Sequence, residues 1–241
     1  MKVYCDSRRI DFSTNVNWKE RQQLLKVKFD VDVRATEATY DIQYGNAKRP
    51  THWNTSWEMA KFETVGHQWA DISEKGYGVS LLNDSKYGYD IKDSTMRLSL
   101  LKGPIYPDPD ADIGEHSFVY SLYPHEGDYV EGRTVETAWA LNSPLKLLSG
   151  KFNSNQFIEI ESDESVIIDT IKKAEDNDGL IIRLHNFTGG RQTVSLSPKF
   201  NYQTWQETNL MEKPISNKII DNTQPISFDL KPYEVKTFLI E

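Results

Sequence analysis

Residues 24–33 read LLKVKFDVDV, and the alternation in that stretch decides the fold class. Leu25, Val27, Phe29, Val31 and Val33 fall on one side of an extended chain, and Lys26, Lys28, Asp30 and Asp32 on the other. A period of two puts successive side chains on opposite faces, the pattern of an antiparallel strand with one face buried. Downstream, ATYDIQYG (38–45) keeps Tyr40, Ile42 and Tyr44 in step and ends at Gly45. The same reading holds for GVSLL (78–82), MRLSLL (96–101), SFVYSLYP (117–124), FIEIES (157–162), GLIIRLHN (179–186), QTVSLS (192–197) and EVKTFLIE (234–241). SVIIDTIKKAED scores partly as a helix, but its run of Val, Ile and Thr favours a strand over 166–171.

Turn chemistry separates these runs. Asn177-Asp178-Gly179 is a strong hairpin signal, because the favoured two-residue turn takes φ > 0 at its central positions. Gly189-Gly190 breaks the chain, and GPIYPDPDAD (103–112), with three prolines, must be an irregular loop. Only YVEGRTVETAWALN (129–142) has helical spacing, through Val135, Ala138 and Trp139. The stretch YGVSLLNDSKYGYDI (77–91) reads as strand 79–82, a turn over 83–86 and a second segment from Tyr87, an aromatic-rich hairpin. Many short strands with regular turns mean an all-β sandwich or barrel with at most one or two short helices. Pro, Gly, Ser and Asn crowd together at 141–156, which divides the chain into 1–150 and 151–241.

The bulk numbers exclude several classes. With 36 acidic against 28 basic residues among 241, the net charge is −8, and no nucleic-acid partner is expected without a basic face. No window approaches the roughly 18 apolar residues of a membrane helix. A single thiol, Cys5, cannot form an internal disulfide, which argues for a reducing, cytoplasmic setting. The sequons at Asn54, Asn83 and Asn186 are then chance matches. MKVYCDSRRI carries no export or transit pattern. Charged, strand-like text begins at once, so a piece of a larger protein is expected. An unpaired edge strand would then lie within residues 1–30, with intermolecular pairing or a homo-oligomer as its consequence.

Chemistry-bearing motifs are sparse. Asp108, Asp110 and Asp112 share the spacing of the first calcium ligands of a helix-loop-helix site. Ile113 and Val119 occupy the places of its turn glycine and bidentate Glu, so a solvated acidic loop is the better reading. Histidines 52, 67, 116, 125 and 185 form no pair at ligand spacing, so no metal site is expected. Nucleophile elbow, phosphate loop and dinucleotide fingerprint are all missing. The aromatics are more informative, because Trp53, Trp57, Tyr77, Tyr87 and Tyr89 fall near turns. RPTHWNTSWEMAKFE (49–63) adds Arg49, Thr51, His52 and Asn54 as hydrogen-bonding groups. Rings with fixed polar partners suit a sugar, whose C–H face stacks while its hydroxyls bond; the same rings also suit anchors of a sandwich core.

Those blocks, followed by HQWADISEKGYGVSLLNDSKYGYDI, MRLSLLKGPIYPDPDADIGEHSFVYSLYPHEGDY, ALNSPL, VIIDTIKKAEDNDGLIIRLHNFTGGRQTVSL and FDLKPYEVKTFLI, resemble the C-terminal β region of glycoside hydrolase family 38 α-mannosidases, cytosolic and bacterial branch. The resemblance covers nearly the whole chain. It implies an antiparallel β-supersandwich portion over 1–150 and a small C-terminal β-sandwich over 151–241. It implies a retaining, zinc-dependent enzyme that removes terminal α-linked mannose from oligosaccharides by two-carboxylate chemistry. In that family the zinc and the nucleophile belong to an N-terminal domain, so no catalytic residue carries over to this chain. The fragment alone is then expected to be inactive, a scaffold and active-site rim partnered by its own N-terminal catalytic domain. His52, Asn54, Asn83, Asp84, Lys86, Tyr87 and Tyr89 are the substrate-rim candidates. The alternatives are a carbohydrate-binding β-sandwich module and a purely structural or interface domain.

Overall fold

The computed structural model describes residues 1–147, 149–151, 156–163 and 165–241. The chain divides into two units, Met1–Leu147 and Leu148–Glu241. In the first unit, β1 (Lys2–Val3), β2 (Ile10–Trp18), β3 (Leu25–Asp30), β4 (Glu37–Ile42) and β5 (Gly45–Pro50) precede a short helix, α1 (Ser56–Ala60). Then come β6 (Thr64–Val65), β7 (Trp69–Glu74), β8 (Tyr77–Asn83), β9 (Gly88–Lys92), β10 (Thr95–Leu101), β11 (Gly114–Glu126) and α2 (Thr134–Asn142). They form a seven-stranded sheet, β1-β2-β11-β8-β7-β4-β5, and a four-stranded sheet, β3-β10-β9-β6. The pairings are antiparallel, as in β7–β8 and β10–β3.

The two sheets bury one face each against the other. Tyr40, Ala70, Ile72, Val79 and Leu81 come from the larger sheet, and Tyr89, Ile91, Met96 and Leu98 from the smaller. Leu25, Val27, Phe29 and Val31 pack onto this cluster, and Val33 is buried within it, so the alternation at 24–33 names the core face. Each fully buried side chain of this size contributes about 1.5–3 kcal/mol. The opposite face of the large sheet is covered by α2, where Val135 and Ala138 are buried. Strand β8 is therefore enclosed on both sides, and everything in it from Gly78 to Asn83 is buried.

Three local readings change. β8 and β9 lie in different sheets, so residues 77–91 form an arch between layers rather than a hairpin. Tyr44 does not continue the 38–45 strand: it holds φ 55° in the two-residue turn between β4 and β5, and Gly45 starts β5. The helix expected over 129–142 begins at Thr134, because Arg133 at φ 54° breaks the helical conformation before it. A second helix, α1, went unpredicted.

In the second unit, β12 (Ile158–Glu161), β15 (Gln192–Pro198) and β18 (Ile226–Leu230) make a three-stranded sheet. β13 (Val166–Lys173), β14 (Leu180–Asn186), β16 (Thr204–Thr208), β17 (Ile220–Asp221) and β19 (Val235–Ile240) make a five-stranded sheet in the order β13-β14-β19-β16-β17. Ile182, Leu184, Val194, Leu196, Ile226 and Phe238 form its core, with Trp205 edge-on to Phe238 at 5.7 Å. Asn177-Asp178-Gly179 lies in the β13–β14 connection, closed by the Ala174 N–H to the Gly179 carbonyl at 2.8 Å. None of those three residues has positive φ: the loop is longer than the two-residue turn, so the special conformation is not needed. The seam expected at 141–156 opens on the last two residues of α2; residues 148 and 152–155 lie outside the described residues. The chain is thus all-β, antiparallel, with two short helices. Among the described residues no helix is long and apolar enough to cross a membrane.

Candidate functional site

The arch between β8 and β9 is held by one buried side chain. Asn83 is 1% exposed; its Oδ1 accepts the Lys86 N–H at 2.6 Å, while its Nδ2 donates to the His67 carbonyl at 2.8 Å and to Tyr89 Oη at 2.5 Å. Tyr89 is fully buried and donates on to the Leu81 carbonyl at 3.2 Å. Burial pushes its phenol well above the ordinary range. Tyr89 thus leaves the solvent-facing rim, and Asn83 stays at its floor as a nearly buried support. A polar group this deep needs all its partners, and here it has them.

What these bonds position is a cleft of about 510 Å³ lined by Val65, His67, Gln68, Asn83, Asp84, Tyr87 and Asn142. Tyr87 is 57% exposed and meets the His67 ring edge-on at 5.8 Å, which leaves an aromatic face available. The Asp84 carboxylate accepts the Val119 N–H at 3.0 Å and the Ser85 hydroxyl at 2.9 Å. Asn142 Nδ2 donates to the Asn83 and Ala138 carbonyls, both at 3.0 Å, tying the end of α2 to the arch. Gln68 Oε1 is shielded from water and accepts no hydrogen bond. A ring and a carboxylate together suit a hydroxyl-bearing ligand.

The other candidates lie elsewhere. Lys86 Nζ sits 4.4 Å over the Phe118 ring and is not among the residues lining the cleft. His52 belongs to a separate cleft with Trp53 and Trp57. Asn54 precedes α1, where its N–H donates to Glu58 Oε2 at 2.7 Å. So the structure brings Asn83, Asp84 and Tyr87 together and adds His67, Gln68 and Asn142. No sequence spacing joins those three to the arch, because cross-strand pairing and the α2 contact bring them there.

A second group was equally invisible in sequence. On the face under α2, Asp71 accepts from His125 Nε2 at 2.7 Å, from Ser80 Oγ at 2.7 Å and from the Ser73 hydroxyl, and Ser80 meets Thr134 Oγ1 at 2.7 Å. Ser80 touches the carboxylate rather than the imidazole, and Asp71, His125, Ser80 and Thr134 are each 2% exposed or less. Neither the relay order nor the access of a nucleophilic triad is present. Burial alone would lower the pKa of His125, but the Asp71 hydrogen bond and charge outweigh it and raise it. The acidic loop is likewise self-satisfied: Asp112 Oδ2 accepts the N–H groups of Lys102 and Gly103 at 2.8 and 2.9 Å, and Asp110 pairs with Arg21. Among the described residues no three His, Cys, Asp or Glu side chains gather to hold a metal ion.

Tandem antiparallel sandwiches, the first with a polar, aromatic-walled cleft, define a β-sandwich protein of two units. Residues 1–110 match the model of the glycosyl hydrolases family 38 C-terminal domain, and residues 165–238 that of the family 38 C-terminal beta sandwich domain. The chain belongs to glycosyl hydrolase family 38, of which it carries the C-terminal region. Alpha-mannosidase G of Dictyostelium discoideum is 41% identical over 98% of this chain and 22% of its own length. Alpha-mannosidase 2C1 of Homo sapiens is 37% identical over 96% of this chain and 23% of its own. Alpha-mannosidase of Saccharomyces cerevisiae is 36% identical over 95% and 24%. The chain thus spans about a quarter of the length of these relatives. The crystal structure of an alpha-mannosidase from Enterococcus faecalis V583 shares the fold, with TM-score 0.79 at 21% identity over 98% of this chain and 28% of that one.

Proposed function

We propose that this chain is the C-terminal part of a cytoplasmic α-mannosidase that hydrolyses terminal α-linked mannose from oligosaccharides, and that it acts as scaffold and substrate rim rather than as the catalytic part. What supports the reading is the pair of family 38 C-terminal models matched in order along one chain whose relatives are α-mannosidases by name. The cleft at the arch is the rim surface: Tyr87 offers a stacking face, and Asp84 offers an acceptor to sugar hydroxyls. The retaining mechanism and the zinc ion come from the family resemblance alone. The side chains described here do not fit a zinc site, so no step is assigned through one. The partner is the catalytic domain of the same polypeptide.

The test replaces the corresponding C-terminal quarter of the Saccharomyces cerevisiae relative with this chain. The chimera is expected to hydrolyse an aryl α-mannoside, and the 241-residue chain alone, with zinc added, is not. Tyr87→Ala in the chimera should raise KM more than it lowers kcat. A folded chimera without turnover would refute the mannosidase reading, and turnover by the chain alone would refute its role as scaffold.

A further inference from the structure

The arch cleft leaves a second concavity of the first unit unused. It encloses about 280 Å³, and Arg49, His52, Trp53, Trp57, Glu58 and Phe62 are in its wall. Trp57 is 78% exposed and Phe62 60% exposed. Large rings held in water at one place usually have an occupant.

These rings are not loosely placed. Thr55 caps α1: its hydroxyl accepts the Glu58 N–H at 3.2 Å, and Glu58 Oε2 accepts the N–H groups of Thr55 at 2.9 Å and Asn54 at 2.7 Å. This reciprocal capping box fixes the turn that carries Trp57, so little conformational freedom remains to be lost on binding. Lys92 Nζ stands 3.9 Å over Trp53 and occupies one of its faces, which leaves Trp57 as the open platform.

Some polar groups in the same wall are incompletely bonded. Arg49 Nε is shielded from water and makes no hydrogen bond, and His52 Nδ1 has only the Glu58 carboxylate, 3.5 Å away. Buried polar atoms left in that state are costly, so a ligand that supplies the missing bonds is favoured. A hydroxyl both donates and accepts, and therefore matches His52 in either tautomer. An apolar protein segment would stack on the rings but would strand Arg49 and Lys61, which also line the cleft.

We propose that this cleft is a carbohydrate-binding site that takes one pyranose ring, its C–H face on Trp57 and its hydroxyls bonded to Arg49 and His52. The choice of mannose-containing probes rests on the mannosidase reading above; the site itself does not. The full chain is titrated with α-linked mannobioses, following the tryptophan indole N–H signals in ¹⁵N spectra. Saturable shifts of the Trp57 and neighbouring Trp53 signals are expected; followed at Trp53, W57A should weaken binding about tenfold and W57F restore most of it. W57A should leave the thermal midpoint unchanged, because the ring is mostly in solvent. No saturable shift with any mannobiose, or unchanged affinity in W57A, overturns the proposal. If Y87A abolishes the shift at Trp53 and W57A does not, the sugar sits at the arch cleft: this site fails while the mannosidase reading stands. If sugar no longer reaches Trp57 in the chimera, the face is a protein interface and the proposal is likewise overturned.

Discussion

Replacing Asp71 by Ala should be among the most damaging single changes in the first unit, and the structure lets the cost be worked out. Asp71→Ala strands His125 Nε2 and the Ser73 hydroxyl, whereas Ser80 keeps Thr134 at 2.7 Å. Rearrangement is blocked: a Cβ on Gly78 would lie 2.3 Å from His125 Cε1, and one on Gly132 would lie 2.3 Å from Nδ1. The imidazole is hemmed in between two backbones. Each stranded buried group costs about 1–3 kcal/mol, and breaking a buried charged pair costs about 3–5 kcal/mol. That is a large share of the roughly 5–15 kcal/mol that holds a domain folded.

The pH dependence gives an independent readout with a fixed sign. His125 has a raised pKa in the folded state, because the Asp71 hydrogen bond and charge overcome the opposing effect of burial. A group that binds its proton more tightly when folded contributes stability that is complete below its unfolded value of about 6.5. That contribution is lost as pH rises through the folded value. Urea unfolding at about pH 5 and about pH 8, read from the fluorescence of Trp69 stacked on Tyr129 at 5.1 Å, should show the wild type losing stability at the higher pH. Asp71→Ala should abolish that loss. A cost below about 1 kcal/mol, or a variant that keeps the wild-type pH slope, would refute the reasoning.

Two further outcomes follow from the same contacts. Gly78→Ala should destabilise by about 1–3 kcal/mol or more, since its methyl would meet both His125 and Ser73 within 2.4 Å; a melting midpoint equal to wild type would count against that packing. Asn83→Ala should cost about 1–3 kcal/mol and speed hydrogen exchange at the Lys86 amide, which loses its 2.6 Å acceptor; unchanged exchange there would show that the arch does not depend on Asn83.

Much of the fold could be read from side-chain period. At 24–33 the apolar set names the core-facing side, and the β-branched run at 166–171 is a strand despite its partial helical score. One missed feature did carry a local signal: Thr55-x-x-Glu58 is a capping box, and α1 starts there. The candidate site was legible only in part. Asn83, Asp84 and Tyr87 could be picked out because turn chemistry marks the arch, but the depth of Asn83 and Tyr89 could not, since burial depends on the layer above.

The sequence by itself determined the all-β class, the core face of its strands and the family, because these rest on local period and on blocks read in order along the chain. The tertiary structure alone decided that β8 and β9, five residues apart, enter different sheets. It alone brought Asp71 to His125, 54 positions away. The reason is physical: alternation fixes which face of a strand is buried, but the choice of neighbouring strand depends on contacts whose partners lie far along the chain.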